Sequence, residues 1–522
     1  MKKLGIILMA CALIFGTTQC KKNDETNKPE NNGESIFITL NVSCGTRANI
    51  VPEDDIAPVY YAEGDMIHVV SDGKYIGTLI YNGNNFDGDI TNPTEGQPLH
   101  FYFFGNVTPN ESLVVGETSI CSVVISNQTT SHPVISYAPS TVNYNVGTTN
   151  YTATLLNKCA LVKFNVTTVS ENATCITGMN NKVTVDFETN EFEYSQEGEG
   201  VITLSAGDGE KWVILLPQDE VYQTEAYSAD GIYTGTCASI PAVTENDYNV
   251  NGIAVAISHP MGAVNGLFTI SANGDQVYFS KGNLQYISNV ATPYWKFADN
   301  QWDYLGVTTG QNSDSENVDR DLFGWGTSGF DHGAVAYQPW ATSTNYSHYY
   351  AYGNRQYHLY DQTGKADWGY NVIVNGGYLL HIWRTLTKEE WEYLFNGRNS
   401  ARNKYGHGQI NEVNGLILLP DNWTLPEGLN FISGNSNWAN VYNTSQWDRM
   451  EAAGAVFLPT AGYRVGQEVG NVEISGYYWS STNFNEYPAD HARYLGFHSN
   501  TIYATYTDHR NYGYSVRLVQ DY

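Results

Sequence analysis

Three dipeptides, Asp72-Gly73, Asn82-Gly83 and Asp87-Gly88, stand close together between short apolar runs. Such pairs accept the positive φ angles of tight hairpins, so each predicts a chain reversal. The flanking segments alternate as strands do. Ile36, Ile38 and Leu40 are separated by polar residues, and residues 65–70, 79–81 and 99–104 read as further strands. A second set begins at residues 159–166 and continues through 183–187 and 212–217. Strands at this spacing, without a helical period between them, predict two successive β-sandwiches over residues 35–150 and 151–258.

His259-Pro260-Met261-Gly262 marks the next boundary, and residues 259–522 differ in character. Every Trp except Trp212 lies there or beyond. Thr387-Lys388-Glu389-Glu390 is a capping box with Thr387 as cap, Trp391, Leu394 and Phe395 as the apolar face, and Asn396-Gly397 as the stop. A second short helix is expected over residues 446–453, with Trp447 and Met450 inward and Gly454 as its stop. Strands are expected at 415–420 and 455–459. The predicted class is therefore mainly β, with an α+β C-terminal domain. At 522 residues the chain needs more than one core.

The N-terminus reads as an export signal. Met1-Lys2-Lys3 is basic, and the apolar run from Leu4 to Phe15 is too short to span a bilayer. Gly16-Thr17-Thr18-Gln19-Cys20 resembles a bacterial lipoprotein cleavage site, with Thr17 where Leu is usual. Residues 1–19 would be the signal peptide, Cys20 the acylated anchor and residues 20–34 a polar, flexible tether. The implied location is the cell outer membrane, facing the exterior. Lys21-Lys22-Asn23-Asp24-Glu25 resembles the charged export signal of Bacteroidetes lipoproteins.

Composition narrows the function. Lys and Arg number 26 against 54 Asp and Glu, a net charge of −28, which removes the electrostatic basis for binding nucleic acid or anionic headgroups. Seven Cys occur without close pairs, so no zinc site of Cys-x2-Cys type is expected; disulfides and buried free thiols both remain open.

Residues 35–258 resemble the fimbrillin-like lipoproteins of the Bacteroidetes, through Tyr61-Ala62-Glu63-Gly64-Asp65-Met66-Ile67, residues 99–106, Lys158-Cys159-Ala160-Leu161-Val162-Lys163-Phe164 and residues 213–218. The resemblance implies two β-sandwiches, assembly with other fimbrial subunits, and proteolytic processing after an Arg near the first strand, for which Arg47 is placed. Residues 266–522 resemble the C-type-lectin-like fold of the formylglycine-generating-enzyme type, near the Fibrobacter major paralogous domain. The motifs are Asp321-Leu322-Phe323-Gly324-Trp325-Gly326-Thr327, Trp383-Arg384-Thr385-Leu386-Thr387, residues 454–462 with Tyr463-Arg464, Tyr478-Trp479-Ser480-Ser481 and Ser515-Val516-Arg517-Leu518-Val519.

That resemblance brings no visible chemistry. The enzymes of the fold bind copper through a Cys pair, and no Cys follows Cys237. No His-x-x-x-His helix pair, nucleophile elbow or phosphate loop occurs. Asp314, Glu316, Asp319 and Asp321 cluster without the spacing of a calcium loop. No enzyme activity, cofactor or metal is expected.

Binding is what remains. Between Ser481 and Ser515 the chain is rich in Asn, Tyr, His and Asp, which give amphipathic contact area and adaptable hydrogen bonds. The candidate ligand-binding residues are Asn483, Asn485, Tyr487, Asp490, His491, Arg493, His498, Asn500, Tyr503, Tyr506, Asp508, His509, Asn511 and Tyr512. Trp479, Leu495, Phe497, Val516 and Leu518 are expected to be its buried frame. The insert resembles the variable region of proteins diversified by retroelements. Residues 483–514 contain no Lys, Gln, Met or Trp, as adenine-directed change of Asn codons requires, though Glu486 departs from that rule. The expectation is a lipid-anchored adhesin, at a pilus tip or on a short stalk, that binds a protein or glycan. The alternative is a structural fimbrial subunit with no ligand of its own.

Overall fold

The computed structural model describes residues 34–43, 61–105, 107–129, 134–139, 142–222, 224–307, 317–330, 337–354, 356–486 and 490–522. The signal peptide, nearly all of the tether, Cys20, Cys44, Arg47, Asp314, Glu316, His332 and Tyr487 lie outside them. The described residues are mainly β, and no helix among them is long and apolar enough to cross a membrane.

Asp72-Gly73 makes the expected hairpin. Both residues take positive φ, 50° and 68°, and Ser71 pairs with Lys74 across the turn from Met66–Ser71 to Lys74–Tyr81. Asn82-Gly83 also turns, with Asn82 Oδ1 accepting the backbone N–H groups of Asn84 and Asn85 at 2.9 Å. Asp87-Gly88 does not. It lies inside the strand Phe86–Thr91, paired on both sides, where Asp87 faces Ile80 and Gly88 faces Ile38. A Cβ at Gly88 would meet the Thr78 carbonyl oxygen at 2.5 Å, so this glycine serves a close strand approach.

The first sheet holds Ser35–Ser43 between an antiparallel neighbour, Phe86–Thr91, and a parallel one, Asn150–Thr154. Residue 150, expected to end the first domain, therefore begins a strand of its sheet, and Leu156–Asn157 belongs to the same sheet. In the other direction, Ile120–Val124 pairs with Lys182–Asp186, and Asn127–Gln128 pairs with Ile202–Leu204. The chain thus crosses between the two sheet systems before and after the expected boundary.

The apolar run of Pro98–Phe104 explains why. Phe101 and Phe103 face a core with Ile38, Leu40, Ile67 and Phe86. Tyr102 and Phe104 face a second core that also takes in Cys121, Val123, Val183, Val185 and Ile214. A strand buried on both faces reads as continuous hydrophobicity. Ala160–Thr168 lies between Gly209–Leu215 and Tyr248–Pro260 over a further core built from Val162, Phe164, Val213 and Val255. Cys121, Cys159 and Cys175 are buried and Cys237 is half-buried; burial pushes the Cys121 and Cys237 thiols up to about 12.

Tyr248–Pro260 leads through Met261 and Gly262 straight into Ala263–Thr269. Gly262 takes a φ of 81°, and a Cβ there would meet the Asn375 carbonyl oxygen at 2.5 Å. From Ala263 onward the chain builds three cores from its own residues. Its first and last strands flank one neighbour: Gln276–Ser280 pairs with both Ala263–Thr269 and Leu518–Asp521.

Both helices form. Lys388–Glu392 carries the Thr387 and Glu390 capping box and buries Trp391. The second helix, Thr444–Ala452, begins earlier than expected because Asn443 caps it, with Gln446 completing a second capping box. Trp447 and Met450 point inward as expected.

Candidate ligand-binding surface

Ser475–Asn483, His491–His498 and Thr501–His509 form a three-stranded antiparallel sheet, the last two joined by a tight turn at Ser499 and Asn500. Side chains alternate across a strand, so the sheet has two faces with different duties. One face carries Tyr478, Leu495 and Phe497 onto Trp391, Leu394 and Phe395. The other carries Trp479 and Tyr494 into a core with Phe323, Trp325, Tyr514 and Val516. All five frame residues, Trp479, Leu495, Phe497, Val516 and Leu518, are buried.

The base of the insert is a hydrogen-bonded lattice. Arg510, fully buried, donates to Asn483 Oδ1 at 2.6 Å, to the Tyr350 carbonyl at 2.8 Å and to the His491 carbonyl at 3.2 Å. Its guanidinium lies over the Trp325 ring, 5.0 Å from the centroid, and burial lowers its pKa to about 10. Asn483 Nδ2 donates to the Asn354 carbonyl at 2.8 Å, and its backbone N–H donates to His358 Nδ1 at 3.1 Å. Asp508 accepts from the Tyr514 hydroxyl at 2.7 Å and from the His509 backbone N–H at 2.8 Å.

The fourteen expected contact residues therefore divide. Asn483, Asp490 and Asn511 are buried. For Asn483 the cause is plain, since its amide answers polar groups that the packed base would otherwise leave unpaired. Asp508 is half-buried and engaged with Tyr514. Arg493 is half-buried, its guanidinium 4.8 Å from the Phe484 ring centroid. Asn485, Asn500, Tyr503 and Tyr506 are exposed, while His491, His498, His509 and Tyr512 are half-buried. Tyr487 lies outside the described residues.

The exposed tyrosines end a continuous series of rings. Tyr512 neighbours Tyr463 at 5.8 Å between centroids, Tyr463 neighbours Tyr477 at 5.7 Å, and Tyr477 neighbours Tyr494 at 5.9 Å. Tyr494 meets Tyr506 edge-on at 5.9 Å, Tyr506 lies 5.7 Å from Tyr503, and Tyr503 lies 6.2 Å from His498. Tyr514 stacks on Tyr477 at 5.0 Å. Tyr503 and Tyr506 are 48% and 56% exposed, whereas Tyr494 and Tyr514 are buried. Burial raises the hydroxyl pKa of Tyr494 and Tyr514, so these phenols stay neutral donors. Tyr463 and Tyr477 were not among the residues expected to contact a ligand; Tyr463 precedes the insert by some twenty residues, and the fold brings it there.

A second exposed group stands at the other end of the sheet. Tyr346 stacks on His509 at 5.2 Å and neighbours Tyr352 at 5.9 Å. Between the strands, Asp490, His491 and His509 come together with their ligand atoms within 4.8 Å of one another. The acidic cluster expected at 314–321 does not gather a comparable set among the described residues. Asp319 accepts the Ser288 backbone N–H at 2.9 Å and Asp321 that of Leu305 at 2.6 Å, so both serve loop structure.

A domain of unknown function (DUF8237) matches residues 432–519, which include the second helix and the whole three-stranded sheet. No curated protein matches the chain. Similar solved structures include a candidate cell adhesion protein from Bacteroides uniformis, 13% identical, with a TM-score of 0.26, covering 36% of this chain and 79% of that one. Another, from Bacteroides ovatus, is 15% identical with a TM-score of 0.28 and covers 44% of this chain and 97% of that one. The fimbrial anchor protein Mfa2 from Porphyromonas gingivalis is 13% identical with a TM-score of 0.24, covering 37% and 77%. At this level of similarity none of them supports a statement of function.

Proposed function

We propose that this chain is a non-catalytic surface adhesin that binds its ligand through the tyrosine series of its terminal domain. The carrying observation is the path of rings from Tyr512 to Tyr503, which ends on exposed Tyr506 and Tyr503. Rings held by other rings offer large contact area at little entropic cost. Phenol hydroxyls present both donor and acceptor groups to a glycan or a polar protein surface. The C-type-lectin-like reading of the domain rests on its motif resemblance, and the motif residues Leu322, Phe323, Trp325, Trp383, Trp479 and Arg517 are buried, as framework residues would be. Acylation at Cys20 would hold the chain on the outer membrane, and programmed diversification would act on exposed insert positions such as Asn485, Tyr503 and Tyr506.

Glycan-array and immobilised-protein binding by the mature chain tests this reading. A Tyr503→Ala, Tyr506→Ala double variant should lose about thirtyfold in affinity for any ligand found, the equivalent of about 2 kcal/mol at a hot spot. Unchanged binding by a folded double variant would remove the tyrosine face from the proposal.

A second reading, that of fimbrial subunit, is favoured by a different observation. Ser35–Ser43 is inserted between two strands, so its release by cutting at Arg47 would open edges on Phe86–Thr91 and Asn150–Thr154 together. Open edges accept a neighbour's strand. Incubation of the mature chain with an Arg-specific protease and purified fimbrial subunits should then give ladders of stable oligomers. If the chain stays monomeric after cleavage, this reading fails.

A further inference from the structure

We propose that Asp490, His491 and His509 form a binding site for a divalent transition cation, with zinc as the best fit. His491 and His509 face each other across adjacent strands, and their ring centroids are 4.1 Å apart. Asp490, buried and next in sequence, sends one carboxylate oxygen to each ring. Its Oδ1 lies 2.7 Å from His491 Nδ1 and its Oδ2 lies 3.3 Å from His509 Nδ1. Tetrahedral zinc with bonds of about 2.0–2.1 Å holds its ligand atoms about 3.3 Å from one another. The carboxylate-to-imidazole distances bracket that figure, and the whole donor set lies within 4.8 Å, so closing it on a cation takes side-chain movement of up to about 1.5 Å.

The His509 nitrogen supplies an independent reason. Nδ1 is buried and makes no hydrogen bond, although a carboxylate oxygen is 3.3 Å away; the approach lacks hydrogen-bond geometry. A buried imidazole nitrogen without a partner is costly, and a cation on its lone pair removes the cost. Two imidazoles with one carboxylate suit zinc and its transition-metal neighbours, whereas calcium and magnesium take oxygen donors.

The rings are also held in place. Tyr346 stacks on His509 with an interplanar angle of 19°, and Phe484 meets His491 edge-on at 6.0 Å. The Arg510 backbone N–H donates to the Asp490 carbonyl at 3.1 Å, fixing the carboxylate's own backbone. The charged Arg510 side chain lies near Asp490 and works against a cation, so micromolar binding is expected here and not the tighter binding of a four-ligand structural site. Three protein ligands leave a fourth position for water. The cation would clamp the end of the hairpin away from Ser499 and Asn500, and this role does not depend on the adhesin reading.

The test is calorimetric titration of the metal-free mature chain with zinc chloride, with cobalt absorption as a second reading of coordination. One zinc per chain is expected, together with the intense visible bands of tetrahedral cobalt. His491→Ala, His509→Gln and Asp490→Asn should each weaken binding by at least tenfold. His381→Asn, which changes an exposed histidine elsewhere, should leave it unchanged. Zinc should raise the melting temperature of the wild type but not of His509→Gln, which separates lost binding from lost folding. No binding by the wild type, or equal binding by folded His491→Ala and His509→Gln, overturns the site.

Discussion

Arg510 donates to Asn483 Oδ1 at 2.6 Å and so joins the two ends of the polar insert. Asn483 closes the first strand of the sheet and Arg510 follows the last. The guanidinium is buried, and its remaining donors go to backbone carbonyls of the insert and of the 350–358 segment. The insert is thus closed at its base by a buried hydrogen-bonded pair.

Asn483→Ala should destabilise the terminal domain by about 2 kcal/mol, because it leaves a buried charged donor without its side-chain acceptor. Urea denaturation should show a lower midpoint with an unchanged slope. A change below 0.5 kcal/mol, roughly the level of a neutral surface substitution, would show the pairing to be incidental.

Trp479→Ala should cost about 3–5 kcal/mol, since the ring is fully buried and its indole N–H donates to the Phe323 carbonyl at 2.7 Å. Tyr506→Ala, at the exposed end of the ring series, should cost about 0.5 kcal/mol. Equal losses on thermal melting would mean that the two rings share one core.

Two calorimetric transitions are expected from the mature chain, not three. Among the described residues, one core before Pro260 draws on both sheet systems, whereas residues from Ala263 onward build their own. A fragment of residues 260–522 should melt cooperatively alone, and a fragment ending at residue 157 should not. A stable, cooperative 34–157 fragment would contradict the shared core.

Acid should weaken the N-terminal unit through His68. This ring is buried, its Nδ1 lies 2.9 Å from Thr78 Oγ1, and burial lowers its pKa from 6.5 to about 4. The folded state disfavours the charged form, so the full stability holds above pH 6.5 and is lost as pH falls toward 4. The loss from this group is on the order of 3 kcal/mol. His68→Gln should flatten the dependence of the urea midpoint over that window; an unchanged slope would place the acid sensitivity elsewhere.

The C-terminal helices and frame were legible because their signals are local. Thr387 and Glu390 cap a helix by spacing alone, and alternation put Leu495 and Phe497 on the buried side of a strand. The second helix started early because Asn443, with Gln446 three residues on, forms a capping box. Asp87-Gly88 misled for the opposite reason: pairing on both sides outweighed a two-residue turn preference.

The sequence by itself determined the strand segments, the change of character near residue 260 and the polar, aromatic nature of the insert, since each depends on neighbours a few positions apart. Only the tertiary structure decided which insert residues face solvent. Asn483, Asp490 and Asn511 look like Asn485 and Asn500 in sequence, yet burial separates them; for Asn483 the cause is Arg510 and the 350–358 segment, which bond its amide. The same holds for the rings. Tyr463 and Tyr512 lie far apart in the chain, and strand pairing between Val465 and Tyr512 brings them into one series. Long-range pairing of this kind depends on the whole path of the chain, and local composition carries no record of it.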